Sequence, residues 1–294
     1  MIIDGVLDPI AWTTGSGDAS TTPFSTRLRS DQGSQATLNE FFRLCDAGAA
    51  NCAFAPNSAA RFAALGDALK AHPLPVTFPD GSTGEVNYSN LIGMTLGALY
   101  DSSTWEDFAR ALADLESQVG AQQLGVRLQA FWHPMNTYIT KRGFPHYFNG
   151  LESFPGVACA DSDNPRTYGA WSAAADAAEA QFAPFGRIWT WASSICANWP
   201  FSDADRYTGP WTHATSNPVL VIGNQFDPAT RYQNAQFVSH LLPNSRLLTV
   251  HGWGHTSLFL SQCADEAQTR YLVDLTLPAP GTVCQQDHVP FSGP

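Results

Sequence analysis

Two residues in the last third of this 294-residue chain, Asp227 and His255, have types and surroundings that suit proton-transfer chemistry. Asp227 lies in the turn Asn224-Gln225-Phe226-Asp227-Pro228, after the apolar run Pro218-Val219-Leu220-Val221-Ile222-Gly223. A short β-branched run closed by glycine reads as a buried parallel strand. Ser245 to Val250 reads as a second strand and leads into His251-Gly252-Trp253-Gly254-His255. Between the strands, residues from about Ala229 to Leu242 place Tyr232, Ala235, Val238 and Leu242 at helical spacing. Strand, acid, helix, strand, histidine is a βαβ unit, which carries the two side chains to the carboxyl ends of neighbouring strands. Open α/β sheets collect their ligands and catalytic groups at that edge.

The pairing has a chemical reason. Histidine works as a general base only when its tautomer and ring direction are set, and a buried carboxylate on its second nitrogen sets both. Gly252 and Gly254 are expected to let the loop before His255 turn tightly. An isolated Asp after a strand is ordinarily a helix cap, and an isolated His an ordinary loop residue. It is their joint placement that selects the catalytic reading. His251 and His255 are four apart, the spacing of paired metal ligands on a helix. Two intervening glycines and a preceding strand argue against that helix, so no metal or cofactor is expected.

PVLVIGNQFDPATRY, HGWGHTS and a last segment ending LPAPGTVC together resemble the carboxy-terminal domain of tripeptidyl-aminopeptidase-like α/β-hydrolases. The opening MIIDGVLDP resembles the strand that follows that family's nucleophile-bearing helix. The likeness is close at both ends and loose in the middle. It implies secreted serine exopeptidases and esterase-like relatives, whose triad runs Ser, Asp, His along the chain. It assigns the acid to Asp227 and the base to His255, and gives His251 no catalytic position. The implied fold is α/β: part of an α/β-hydrolase sheet, its last parallel strands, with a large, mainly helical cap insertion. The expected division is residues 1–15 as the first core strand, 16–214 as the cap and 215–294 as the core segment with acid and histidine.

One departure from the family pattern outweighs the matches. The family's nucleophile sits in a G-x-S-x-G elbow, and no serine here has glycines two before and two after. Ser82 has Gly84 after it but Asp80 before it, and Gly15-Ser16-Gly17 has the wrong spacing. A triad without its nucleophile retains only residual catalysis. The chain is therefore expected to supply acid, base and cap to a site whose nucleophile lies elsewhere.

Composition sets outer bounds. With 15 basic and 26 acidic residues the net charge is −11, which argues against nucleic acid or an anionic membrane as partner. No apolar run approaches the roughly 20 residues of a membrane span. Six cysteines allow 15 pairings. The family likeness implies the sequential ones, Cys45–Cys52, Cys159–Cys196 and Cys263–Cys284. Disulfides belong to exported proteins, yet Met1-Ile2-Ile3-Asp4 is not a signal peptide. Met1 is accordingly expected to be an internal methionine of a longer precursor, and the location extracellular.

Read in order, residues 1–6 form a strand, and residues 11–37 a polar connection leaving the sheet. Helices are expected from Leu38 to Cys45, from Asn57 or Ser58 to Ala71, and from Tyr88 to Tyr100. Another starts at a Ser103-Thr104-Trp105-Glu106 capping box, with Trp105, Phe108, Leu112, Leu115 and Val119 on one stripe. Pro79-Asp80-Gly81 signals a chain reversal. The aromatic segment Phe131 to Gly150 could line a substrate cleft and is read first as packing. Asp161 and Asp163 are noted as acids that could hold a substrate amine, with a calcium-like or solvated loop as the equal alternative. Helices follow over Trp171–Phe182, Arg187–Cys196 and about Ser257–Leu275.

Three functions are weighed. First is a serine-hydrolase portion acting on peptide or ester substrates. Second is a disulfide-stapled binding or structural module without catalysis, and third is hydrolysis through an unrecognised serine of this chain. The first carries a corollary: the first strand leaves an edge where a neighbour is missing, to be filled by the amino-terminal half or by self-association.

Overall fold

The computed structural model describes residues 1–77, 83–121 and 150–293. The reversal at Pro79-Asp80-Gly81 and the aromatic segment from Phe131 up to the helix at Gly150 lie outside the described residues. The chain divides into two compact units, Met1–Thr37 with Asn149–His288, and Leu38–Phe148 with Val289–Pro294.

The first unit is built on a four-stranded parallel sheet in the order β1-β4-β5-β6, from β1 (Ile2–Asp4), β4 (Val219–Phe226), β5 (Ser245–Trp253) and β6 (Val283–Gln285). Successive residues of β4 serve opposite faces. Leu220 and Ile222 join Leu248, Val250, Ala264 and Tyr271 on the face covered by the helix Gln262–Asp274. Val219 and Val221 join Val6, Ala235 and Val238 on the face covered by the helix Tyr232–Leu241. Full burial of an aliphatic side chain contributes roughly 1.5–3 kcal/mol, whereas strand propensities span only about 1 kcal/mol. Two-sided burial, more than propensity, therefore holds β4 at the centre.

The βαβ unit forms, with one shift of boundary. The run Asn224-Gln225-Phe226 is not a turn but the end of β4, where a register irregularity between Asn224 and Phe226 bends the strand before Asp227. Residues 11–37, expected as a polar connection, instead carry helices. Pro9–Trp12 is capped by Asp8, Phe24–Arg27 follows, and Ser30–Gly48 begins well before Leu38. Their polarity misled because the hydroxyls of Ser25, Ser30 and Ser34 are buried and satisfied in tertiary hydrogen bonds. The short β6 had no periodic signal of its own. It is recruited by pairing with β5 and tied to the helix Gln262–Asp274 by Cys263–Cys284.

The second unit is mainly helical, with Ser58–Ala71, Tyr88–Leu99 and Trp105–Ala121 beside the antiparallel pair β2 (Leu74–Thr77) and β3 (Thr83–Val86). Phe41, Phe54, Trp105, Phe108, Leu112 and Leu115 are fully buried there. Phe41 packs edge-on against Trp105 and Phe291. The Phe291 amide donates to Glu106 Oε1 at 2.9 Å, which ties the carboxy terminus into this unit. The Ser103 capping box is not used: Asp101 caps that turn by accepting from the Ser103 amide. The reciprocal box is instead Asn87 with Asn90. All six cysteines are paired, Cys45–Cys52 here and Cys159–Cys196 and Cys263–Cys284 in the sheet unit.

Two glycines give a paired test. A Cβ on Gly223 would lie 2.7 Å from Ala235 Cβ, so helix Tyr232–Leu241 could not close on β4. A Cβ on the helical Gly93 meets nothing within 4 Å. Gly223→Ala is expected to lower stability by about 1–3 kcal/mol through overpacking. Gly93→Ala is expected to raise it by about 0.5–1 kcal/mol through helix propensity. Urea unfolding of the two variants checks both signs.

Candidate active site

Parallel pairing of β4 with β5 brings Asp227 and His255 together where the two strands end. His255 Nδ1 lies 3.0 Å from Asp227 Oδ2 and 3.2 Å from Oδ1. Asp227 is 2 % exposed, and its carboxylate is surrounded by donors. Oδ1 accepts from the amides of Ala229 at 2.8 Å and Thr230 at 2.7 Å, and Oδ2 from the Thr230 hydroxyl at 2.8 Å. The Thr256 amide reaches Oδ2 at 3.4 Å. A buried carboxylate needs such partners, since desolvation without them is strongly unfavourable.

The loop of Asp227 is held from the first turns of the Ser30–Gly48 helix. Ser30 Oγ donates to the Ala229 carbonyl and Ser34 Oγ, at 2.6 Å, to the Pro228 carbonyl. Gly33 makes this approach possible, because a Cβ there would stand 2.6 Å from the Asp227 carbonyl oxygen.

The histidine loop is gripped as firmly. Asn224, buried in β4, donates through Nδ2 to the carbonyls of Gly254 and Thr256, on either side of His255. The Gly254 amide donates to the Phe226 carbonyl at 3.1 Å. Gly254 has φ +119°, a conformation that favours glycine. Gly252 does not serve the turn as expected. It lies inside β5, and its missing side chain makes room for Gln286, whose Oε1 accepts from the Trp253 amide at 2.8 Å. His251 also lies in β5, edge-on to the rings of Phe226 and Trp253. Among the described residues no group of three His, Cys, Asp or Glu is placed to hold a metal ion.

A second carboxylate stands close by. Asp4, at the end of β1, accepts through Oδ2 from the Ser257 amide at 2.7 Å and the Ser257 hydroxyl at 2.8 Å. Neither residue is a site candidate from sequence, although Asp4 ends its strand much as Asp227 follows β4. Of the two acids noted beside Cys159, Asp163 is engaged locally in an ion pair with Arg206 at 2.7 Å. Asp161 ends the helix Gly150–Asp161.

Burial works against protonating His255, but the hydrogen bond to Asp227, its charge and that of Asp4 together outweigh it. The imidazole pKa therefore lies above its ordinary value. With Nδ1–H directed at Asp227, Nε2 is the basic nitrogen, the form needed to take a proton from an alcohol.

Residues 180–284 match the family described as TAP-like protein. The chain has a partial α/β-hydrolase fold with a TAP-like domain at its carboxy-terminal end. It is 29 % identical over 292 residues to Carboxylesterase B of Mycobacterium tuberculosis, spanning 97 % of this chain and 51 % of that protein. It is 27 % identical over 299 residues to Serine protease Hip1 of the same organism, spanning 97 % of this chain and 52 % of that one. The chain thus covers about half the length of the curated relatives it matches. This partial fold holds a carboxylate and an imidazole in contact, and the sequence contains no G-x-S-x-G.

The raised imidazole pKa has a consequence for stability. A folded pKa above the unfolded one contributes stability that is complete below the unfolded value, near 6.5, and lost as pH rises through the folded value. Replacing His255 by Gln should therefore cost more at about pH 5.5 than at about pH 9. Equal losses in urea midpoint at both pH values would contradict the raised pKa.

Proposed function

We propose that this chain provides the catalytic acid, Asp227, and base, His255, of a serine hydrolase acting on ester or peptide bonds. The attacking hydroxyl comes from a segment that this sequence does not contain. The observation that carries the reading is the 3.0 Å contact between His255 Nδ1 and the buried Asp227 carboxylate. Three amides and a hydroxyl satisfy that carboxylate beside the imidazole, as an orienting acid requires. In the reaction His255 Nε2 takes the proton of the attacking hydroxyl as the acyl-enzyme forms and passes it to the leaving group. It then activates water for deacylation, and Asp227 holds the imidazolium throughout.

Several features support the parts of this reading. Among the described residues β1 is paired along one side only, with β4, so a parallel neighbour can add beside it. That neighbour is read as the strand leading to the nucleophile, contributed by the amino-terminal half or through association of copies. The residues between β1 and β4, 16–214, are read as the family's cap insertion. Three disulfides, with no described helix long and apolar enough to cross a membrane, fit an exported protein. The names of the relatives include both an esterase and a protease, and both substrate classes are carried forward to assay.

A fluorophosphonate probe and a p-nitrophenyl ester test the proposal. The purified chain is expected to stay unlabelled and to hydrolyse the ester no faster than background. Co-expression with a serine-bearing amino-terminal segment should restore labelling and turnover. In that restored enzyme Asp227→Asn should lower kcat by up to about 10⁴-fold, as loss of the orienting acid does elsewhere. Turnover undiminished by His255→Ala would end the proposal. Labelling of this chain alone would move the nucleophile to one of its own serines.

A further inference from the structure

We propose that Asp4 is a positioning residue for His255, anchoring the far side of the histidine loop to β1 through Ser257 and adding a second negative charge behind the imidazole. The inference rests on the reading of His255 as the general base, and it concerns the one strand of the site that the acid–base pair does not account for.

Three observations converge on it. Asp4 Oδ2 takes both polar hydrogens that Ser257 can offer, amide and hydroxyl, at 2.7 and 2.8 Å, and Ser257 is fully buried. Ser257 is only two residues past the histidine, and Thr256 between them is held at φ +69°. A β-branched residue in that region does not rest there unaided, so the Asp4–Ser257 contact helps to hold the segment in its turn. Next, the backbone after Asp4 forms a wall against the ring. A Cβ on Gly5 would lie 3.0 Å from His255 Cε1 and 3.1 Å from Thr256 Cγ2, and Gly5 has φ +71°. β1 therefore meets the loop twice, through the Asp4 side chain and the Gly5 backbone. Last, burial pushes the Asp4 carboxyl above its ordinary pKa, while hydrogen bonds from Ser257 and the Gly5 backbone pull it down. Oδ1 is buried with no hydrogen bond of ordinary geometry among the described residues. Burying a carboxylate is unfavourable for folding alone, which suits a group kept for its hold on the loop and its charge.

Asp227 fixes the ring from β4 and Asp4 fixes the following residues from β1, so the imidazole cannot swing with either strand alone. Both carboxylates also favour the imidazolium that forms during proton transfer. Asp227 and Asp4 both act on the ring by charge. A purely structural latch would hold the loop and leave the imidazole's proton affinity unchanged.

The test follows the His255 ring by NMR through a pH titration of this chain, so that no catalytic activity is needed. Asp4→Asn keeps an oxygen for Ser257 and removes the charge; the His255 midpoint should fall by roughly half a pH unit, as a unit charge at partly screened distance would give. Ser257→Ala keeps the charge and should leave the midpoint in place. A midpoint that stays put in Asp4→Asn overturns the electrostatic half of the proposal. Should that variant fail to fold, amide exchange in the wild-type chain still decides the contact. The Ser257 amide is expected to be protected at least about tenfold over its unfolded rate, and an unprotected amide overturns the anchor. Asp227→Asn serves as the control, with a larger fall expected. An unmoved midpoint there would remove the acid–base pairing itself, a failure separate from that of Asp4.

Discussion

A carboxylate removed from water must be met by donors on every side, and this sheet unit is arranged around meeting that demand at Asp227. Two amides and a hydroxyl come from the turn that follows β4, and another amide and the imidazole come from the loop after β5. None of these groups is in place unless β4 and β5 pair in parallel, in the register that sets Val221 beside Leu247 and Ile222 beside Leu248. That register depends in turn on apolar side chains filling both faces, under the helices Tyr232–Leu241 and Gln262–Asp274. A slip of one residue would exchange the two faces and separate the acid from the histidine. Core packing and site geometry thus share one cause.

The same logic explains why polar residues lie buried around the pair. Asn224 spends a central strand position on the carbonyls flanking His255, and Ser30 and Ser34 spend theirs on the carbonyls beyond Asp227. Loop carbonyls that enter a core need partners, and those partners stiffen the loops that carry Asp227 and His255. Gly33 and Gly223 belong to the same scheme. Each yields its side chain so that a neighbouring backbone or helix can come close.

The likeness to an esterase and a protease extends along nearly the whole chain but over only half of each relative. The shared part contains the carboxylate and imidazole proposed as acid and base. Asp227 and His255 are held by residues of this chain from β1, β4, β5 and the Ser30–Gly48 helix. The packing around the proposed acid–base pair is thus supplied within this chain.

From the residues alone, the apolar run of Val219 to Ile222, the helical spacing after Asp227 and the strand before His255 could be read, because burial on two faces and amphipathic periodicity leave direct traces in sequence. Those traces sufficed for the α/β class and for the two residues now found in contact. What they could not reveal was anything maintained by partners distant along the chain. The polar stretch of residues 11–37 looked like a loop because its hydroxyls carry no mark of the carbonyls they meet some two hundred residues away. Gly252 looked like a turn glycine until Gln286 was seen filling its space, and β6 became a strand only by pairing with β5. Asp4 looked like one more acid. Local periodicity is written in adjacent residues, whereas the hold on the histidine loop comes from three strands at once, and only tertiary structure brings those strands together.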